Sequence, residues 1–208
     1  KRGQLMESLQ FIIELLGTFA FAISGIRSAS SKNFDWFGGY VVGLATAIGG
    51  GTIRDVMLGQ APFWMTNSVY MVCTAFALLT FVMLKRQFTR LSKTWFLFDT
   101  LGLALFTIAG LQKTLIAGYP FWVAIIMGCM TGVLRDVLVN EVPLIFRKEI
   151  YAIACILGGL VYWVCTLVGV PVALTVIITF WAVVVVRILA VKYSISLPVL
   201  KDPDLWKK

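Results

Sequence analysis

Gly49-Gly50-Gly51-Thr52-Ile53-Arg54-Asp55-Val56 decides the reading of this chain, because it returns 81 residues later. The second version is Gly128-Cys129-Met130-Thr131-Gly132-Val133-Leu134-Arg135-Asp136-Val137. At that offset Gly51 falls on Gly132, Arg54 on Arg135 and Asp55 on Asp136. Farther along, Pro62 falls on Pro143 and Tyr70 on Tyr151. Each copy sets glycines and an Arg-Asp pair into an apolar stretch. In lipid, such backbone and charge persist only where protein or a watery cavity surrounds them. A duplicated segment of this kind points to an internal repeat built around a central site.

Toward the N-terminus the match continues at an offset of 85, with Glu14 on Asp99, Gly17 on Gly102, Phe21 on Phe106 and Gly25 on Gly110. A four-residue deletion in the second copy accounts for the change of offset. Apolar runs predict seven spans, at about 9–29, 37–58, 67–84, 95–112, 120–139, 149–168 and 172–191. Residues 9–84 form the first repeat and 95–168 the second. Each holds three spans, an odd number, so the second copy enters the membrane from the opposite side. The expected fold is an all-α polytopic membrane protein. It has seven transmembrane helices, as two inverted three-helix repeats plus one extra helix at 172–191. No linker is long enough to divide residues 1–208, which read as a single membrane domain.

Composition agrees. The 208 residues are 60% hydrophobic and 13% charged, with mean hydropathy +0.91, against roughly 45–50% and 25% for soluble domains. The first apolar run reads as a span rather than a signal peptide, and Lys1 in place of Met as a sign of trimming. The net charge of +8 reads as cytoplasmic loop charge, not as a nucleic-acid surface. Arg27, Lys32, the basic residues of 85–93, Arg147, Lys148 and every Lys or Arg from Arg187 onward fall on one side. Lys1, Arg2 and Lys113 fall on the other. The rule places the N-terminus outside and the C-terminus in the cytoplasm. Trp36, Trp64, Trp95 and Trp122 lie near span ends, as in interfacial belts.

The chain has no histidine, and its four cysteines lie in apolar runs without a C-x-x-C. Zinc and haem centres are therefore not expected, nor any other cofactor. No Ser-His-Asp set, phosphate loop or metal cluster is present, so the chain does not read as an enzyme.

The glycine segments carry the function. Each interior Gly costs a helix about 1 kcal/mol relative to Ala, so three together predict a break in the second span. A break frees carbonyls around Ala47, Ile48 and Gly49, which can hold a cation. It also frees N–H groups around Gly51, Thr52 and Ile53, which can hold an anion. The other reading is close helix packing through small residues, the ordinary meaning of Gly128-x-x-x-Gly132. Residues i and i+1 point about 100° apart on a helix, so Arg54 and Asp55, like Arg135 and Asp136, are expected to find partners elsewhere. Cross-pairing of the second and fifth spans is the expected solution. Glu14 and Asp99 read either as interfacial carboxylates facing water or as acids at the mouth of a path. Ser24, Thr46, Thr107 and Thr131 could line a polar lumen or bond their own helices. Lys113 reads as a snorkelling anchor.

With its duplicated Gly-rich and Arg-Asp segments, its three-plus-three-plus-one layout and the trailing Ser196-Leu197-Pro198, the chain resembles the prokaryotic TRIC (trimeric intracellular cation) channels. The same bacterial sequences are also called a glycine-transporter domain family. The resemblance covers about residues 9–198. It implies a homotrimer in a prokaryotic inner membrane, one pore per protomer, and conduction of monovalent cations, potassium over sodium. It also implies kinked second and fifth spans lining the pore. On this reading carbonyls at Ile48, Gly49, Gly50, Gly51, Gly128 and Gly132 replace part of the ion's hydration shell. Thr52, Thr131 and Ser24 add oxygens, Asp55 and Asp136 tune the field, and Arg54 and Arg135 hold the half-helices. Glu14, Asp99 and Lys113 complete the set of structural or gating charges. The alternative is a secondary transporter of glycine or a similar small zwitterion. Its carboxylate would lie on the N–H end of the break and its ammonium on the carbonyl end.

Overall fold

The computed structural model describes residues 2–84, 92–138, 152–193 and 195. Among these residues there are eight helices and no strand. They are α1 (Arg2–Ser31), α2 (Trp36–Met57), α3 (Phe63–Thr66), α4 (Val69–Met83), α5 (Ser92–Ile116), α6 (Phe121–Leu138), α7 (Ala152–Leu167) and α8 (Val172–Lys192). Seven of them match the expected spans to within a few residues, apart from the earlier start of α1. The stretches from Met6, Trp36, Phe96 and Val172 are long and apolar enough to cross a membrane, while α4, α7 and residues 121–130 are shorter apolar helices.

Local chemistry sets the boundaries. Asp35 caps α2, its Oδ1 accepting from the Gly38 amide at 2.7 Å. Gly59 (φ 69°) and Gly118 (φ 84°) end α2 and α5 in the left-handed region. The amides of Gln60 and Tyr119 then reach back to the carbonyls of Asp55 and Thr114. Pro62 and Pro120 follow and exclude continuation. Helix α3 was not foreseen. It is a single turn after Pro62, too short to show a period.

Helices α1 and α5 form the centre. They run antiparallel: Glu14 lies by Lys113, Ile13 packs with Ile108 and Ala109, and Gly17 lies under Phe106. Helix α1 also packs on α2 and α4, and α5 on α6, α7 and α8. The contact of α1 with α5 is reciprocal. A Cβ on Gly17 would lie 2.9 Å from the Phe106 ring, and one on Gly102 would lie 2.3 Å from the Phe21 ring. Those two rings stack at 5.1 Å between centroids. Each glycine leaves the space that the other helix's phenylalanine fills. Outward faces are apolar, with Phe37, Val72, Trp122, Trp181 and Leu167 exposed.

The glycine segment of α2 departs from expectation. The helix is continuous from Trp36 through Met57, with no break at Gly49, Gly50 or Gly51. Tertiary packing overrides the intrinsic cost. All three glycines are buried, and a Cβ on Gly51 would lie 2.5 Å from the Phe63 ring. The absent side chain is what lets α3 lie against α2. Helix α6 is likewise continuous through Gly128 and Gly132. A Cβ on Gly128 would lie 2.9 Å from the Thr107 carbonyl of α5, and one on Gly110 would lie 2.8 Å from the Gly128 Cα. These glycines serve close approach of helices.

Candidate functional site: a buried charge cluster between α1, α2 and α5

The polar centre of the first half collects Glu14 from α1, Arg54 and Asp55 from α2, and Lys113 from α5. Arg54 Nη2 donates to Glu14 Oε1 at 2.8 Å, and Arg54 Nε donates to Asp55 Oδ1 at 2.7 Å. Lys113 Nζ donates to Asp55 Oδ2 at 2.9 Å and lies 3.6 Å from Glu14 Oε1. The Phe63 amide donates to Asp55 Oδ2 at 2.9 Å, and the Tyr70 hydroxyl to Glu14 Oε2 at 3.3 Å. Two carboxylates and two cations make the cluster formally neutral. Arg54 (1%), Asp55 (0%) and Glu14 (5%) have almost no exposed side chain, whereas Lys113 keeps 17%.

Such burial requires this degree of pairing. Each isolated ion carries a desolvation cost of several kcal/mol, which only multiple short contacts offset. Bidentate, planar Arg54 can bridge two carboxylates where a point-charge ammonium could not hold both at 2.7–2.8 Å. The Phe63 ring lies beneath both cations, 5.7 Å from Arg54 Cζ and 5.8 Å from Lys113 Nζ. The glycine segment acts here indirectly. By admitting the Phe63 ring at Gly51, it brings the Phe63 amide to Asp55.

Four expectations are corrected. Adjacent Arg54 and Asp55 do meet, because the long Arg side chain spans the angle between neighbouring positions while its far nitrogen continues to Glu14. Their outside partners come from α1 and α5, not from the fifth span. Glu14 is no interfacial carboxylate but a buried one. Lys113 is no snorkelling anchor. Helix α5 runs a full turn past the expected end, to Ile116, and this carries Lys113 into the bundle. Sequence reasoning also missed the roles of Tyr70 and the Phe63 amide. The match of Tyr70 with Tyr151 was the available signal.

Asp99 on α5 is buried, at 2% exposure, and meets Arg187 Nη2 of α8 at 3.8 Å. Arg187 lies 5.3 Å from the centroid of the Phe96 ring. Arg187 therefore belongs to the protein interior, not to the cytoplasmic loop charge. Arg135, Asp136, Thr131 and Gly132 lie on α6, but their side-chain surroundings fall outside the described residues, as do Pro143, Tyr151 and 196–198 entirely. Of the expected lumen oxygens, Thr46 donates to the Val42 carbonyl at 2.7 Å and Thr52 to the Ile48 carbonyl at 2.7 Å. Thr52 Oγ1 also accepts from the Trp64 indole at 2.9 Å. Thr107 donates to Cys155 Sγ at 3.3 Å. Ser24 is buried in α1, and Ile48 packs against the core.

Relatives are found both by sequence and by fold. A family model described as "Glycine transporter" matches residues 11–86 and 96–167. The inner membrane protein YadS of Escherichia coli K12 is 37% identical over 91% of this chain and 95% of its own length. A membrane protein of Vibrio cholerae is 36% identical over 92% of this chain and 82% of its own. A solved structure described as showing the basis for conductance through TRIC cation channels superposes with TM-score 0.79 at 33% identity, covering 92% of this chain and 97% of that one. The TRIC orthologue of Rhodobacter sphaeroides superposes at 0.82 with 31% identity, covering 90% and 100%. This membrane protein belongs to the prokaryotic TRIC family, the family of the glycine-transporter model.

Proposed function

We propose that the chain is a monovalent cation channel favouring potassium, with one pore in each protomer of a homotrimer in the prokaryotic inner membrane. Its path runs between α2 and α6, which pack together. Ile48, Gly49, Gly50, Gly51, Thr52 and Asp55 flank it from α2, and Gly128, Thr131, Gly132 and Asp136 from α6, with Ser24 contributed by α1. The seven spans form two inverted repeats plus α8, with the N-terminus outside. The antiparallel course of α1 and α5 and their reciprocal Gly-Phe packing support the inversion.

The observation that carries the reading is the neutral, buried cluster, whose most accessible member is a single ammonium. With Lys113 in place, Glu14 and Asp55 are fully compensated and the path is closed. When Lys113 swings out, two carboxylates face one guanidinium and the site is left one charge negative. A monovalent cation can then take the ammonium's place without further change of charge, while an anion is repelled. Because α2 is unbroken here, its carbonyls remain engaged within the helix. Ion contacts in this region therefore come first from carboxylate and hydroxyl oxygens. Arg54 keeps the two carboxylates in place throughout.

Recording from the purified protein in a planar bilayer tests the proposal. Unitary steps are expected, with a reversal potential that follows the potassium gradient and a smaller sodium permeability. Saturable glycine counterflow without steps would instead establish the transporter. A single trimeric mass in detergent is expected from native mass spectrometry.

A further inference from the structure

Cys129 on α6 and Cys155 on α7 face each other. These helices are antiparallel and close: a Cβ on Gly159 would lie 2.8 Å from Ile125 Cγ1. One turn farther along the same antiparallel register, residue 129 comes opposite residue 155. There Cys129 Sγ lies 3.9 Å from the Ala152 carbonyl, one turn before Cys155, and Cys129 packs against the buried cluster that holds Cys155. Thr107 of α5 donates to Cys155 Sγ at 3.3 Å. Cys155 is fully buried, Cys129 only partly, so the pair has one open side. Neither cysteine is in a disulfide.

Two facing sulfurs with no third acidic or imidazole ligand suit neither zinc nor the hard alkali cations. Among the described residues no group of three or more His, Cys, Asp or Glu is placed to hold a metal. Soft thiolate ligands select d10 monovalent ions, which accept two-coordinate geometry. We infer that Cys129 and Cys155 form a two-coordinate site for a soft monovalent cation of the copper(I) or silver(I) class, bridging α6 to α7. Binding replaces both thiol protons: one cation and two S–H groups give one S–metal–S bridge and release two protons, with no change of oxidation state. The bridge carries one net negative charge. The bridge would tie α6, beside Gly128, to α7.

The site is read by binding alone, so its success or failure is separate from that of the channel proposal. Silver(I) titrated into the detergent-solubilised wild-type protein should bind at one equivalent per protomer at this pair, releasing two protons and raising an ultraviolet thiolate-to-metal absorption. The double variant Cys73→Ser/Cys165→Ser, which removes the other two cysteines, should retain that equivalent, its two protons and its band. Cys129→Ser and Cys155→Ser, each in that background, should lose all three. Cys129→Ala and Cys155→Ala serve where a serine variant loses its native elution profile. If the Cys73/Cys165 variant loses the equivalent, or the Cys129 and Cys155 variants retain it, the site does not exist.

Discussion

Glu14 and Asp99 occupy corresponding positions in the two halves, and both are buried, yet among the described residues their cations come from different helices. Glu14 is met by Arg54 at 2.8 Å from within its own half, and by Lys113 at 3.6 Å from the other. Asp99 is met at 3.8 Å by Arg187 of α8, a helix with no counterpart in the repeat. The offset of 85 sets Lys113 opposite Ser28, so the first cluster's ammonium was never duplicated as a charge. Duplication thus preserved both acids and both Arg-Asp pairs, while Lys113 and Arg187 are cations without a charged counterpart in the other copy. A pseudo-symmetric scaffold can hold two chemically unequal ends this way.

The difference predicts unequal dependence on the arginines. Arg54→Ala leaves Glu14 and Asp55 buried with one ammonium between them and should cost roughly 3–5 kcal/mol, the cost of breaking a buried pair. Among the described contacts Arg187→Ala removes one of 3.8 Å to a single carboxylate, and it should cost less. Thermal unfolding of both variants in the same detergent decides the matter. Equal losses would mean that the two ends are energetically equivalent, and the comparison would collapse.

The next effect probes the reciprocal contact of α1 and α5. A methyl on Gly102 meets the Phe21 ring at 2.3 Å, while one on Gly17 meets Phe106 at 2.9 Å. Both overpack, but Gly102→Ala more severely, at about 3 kcal/mol, the upper end for inserted core volume. Pairing Gly102→Ala with Phe21→Leu should restore much of the loss, and failure to do so would place the strain elsewhere.

What could be read beforehand, and what could not, follows the same division. Long apolar runs are local, and they located seven helices. The offset match named Glu14, Arg54, Asp55, Asp99 and both glycine segments before any contact was known. Partner choice is tertiary, and there the reading failed: no periodicity says that Arg54 turns toward α1, or that Lys113 lies inside the bundle. The helix break failed for a related reason. Glycine's propensity cost is local, whereas the Phe63 ring that fills the space at Gly51 arrives from α3, a one-turn helix that carries no sequence period. Arg187 was assigned to loop charge because it lies near the end of an apolar run, although its side chain turns inward to Asp99 and the Phe96 ring.

Lys113→Gln separates the mobile charge of the first cluster from its fixed ones. One charged hydrogen bond of 2.9 Å is lost at a partly exposed group, so the stability cost should fall near 1.5 kcal/mol, the low end for such bonds. Open occupancy in bilayer recordings should rise, because the ammonium no longer fills the cation position. A fall in occupancy with unchanged stability would show that Lys113 admits ions rather than excluding them.

The smallest expected effect concerns Thr52, whose counterpart at the offset of 81 is Val133. Thr52→Val makes the first copy resemble the second at this position. The hydroxyl donates to the Ile48 carbonyl and accepts from the Trp64 indole, so one lone pair remains for any passing ion. Losing it should cost about 1 kcal/mol, chiefly by leaving the half-buried indole without its acceptor. Conductance discriminates between the two uses of that oxygen. If Thr52 only anchors Trp64, Trp64→Phe should reproduce the stability loss, and neither variant should alter unitary current. If Thr52 also touches the permeant ion, Thr52→Val alone should lower unitary current, since the carboxylates would be left with one oxygen fewer beside the ion. An unchanged current in Thr52→Val would remove this residue from the path and leave the acids of the cluster as the ion's principal contacts.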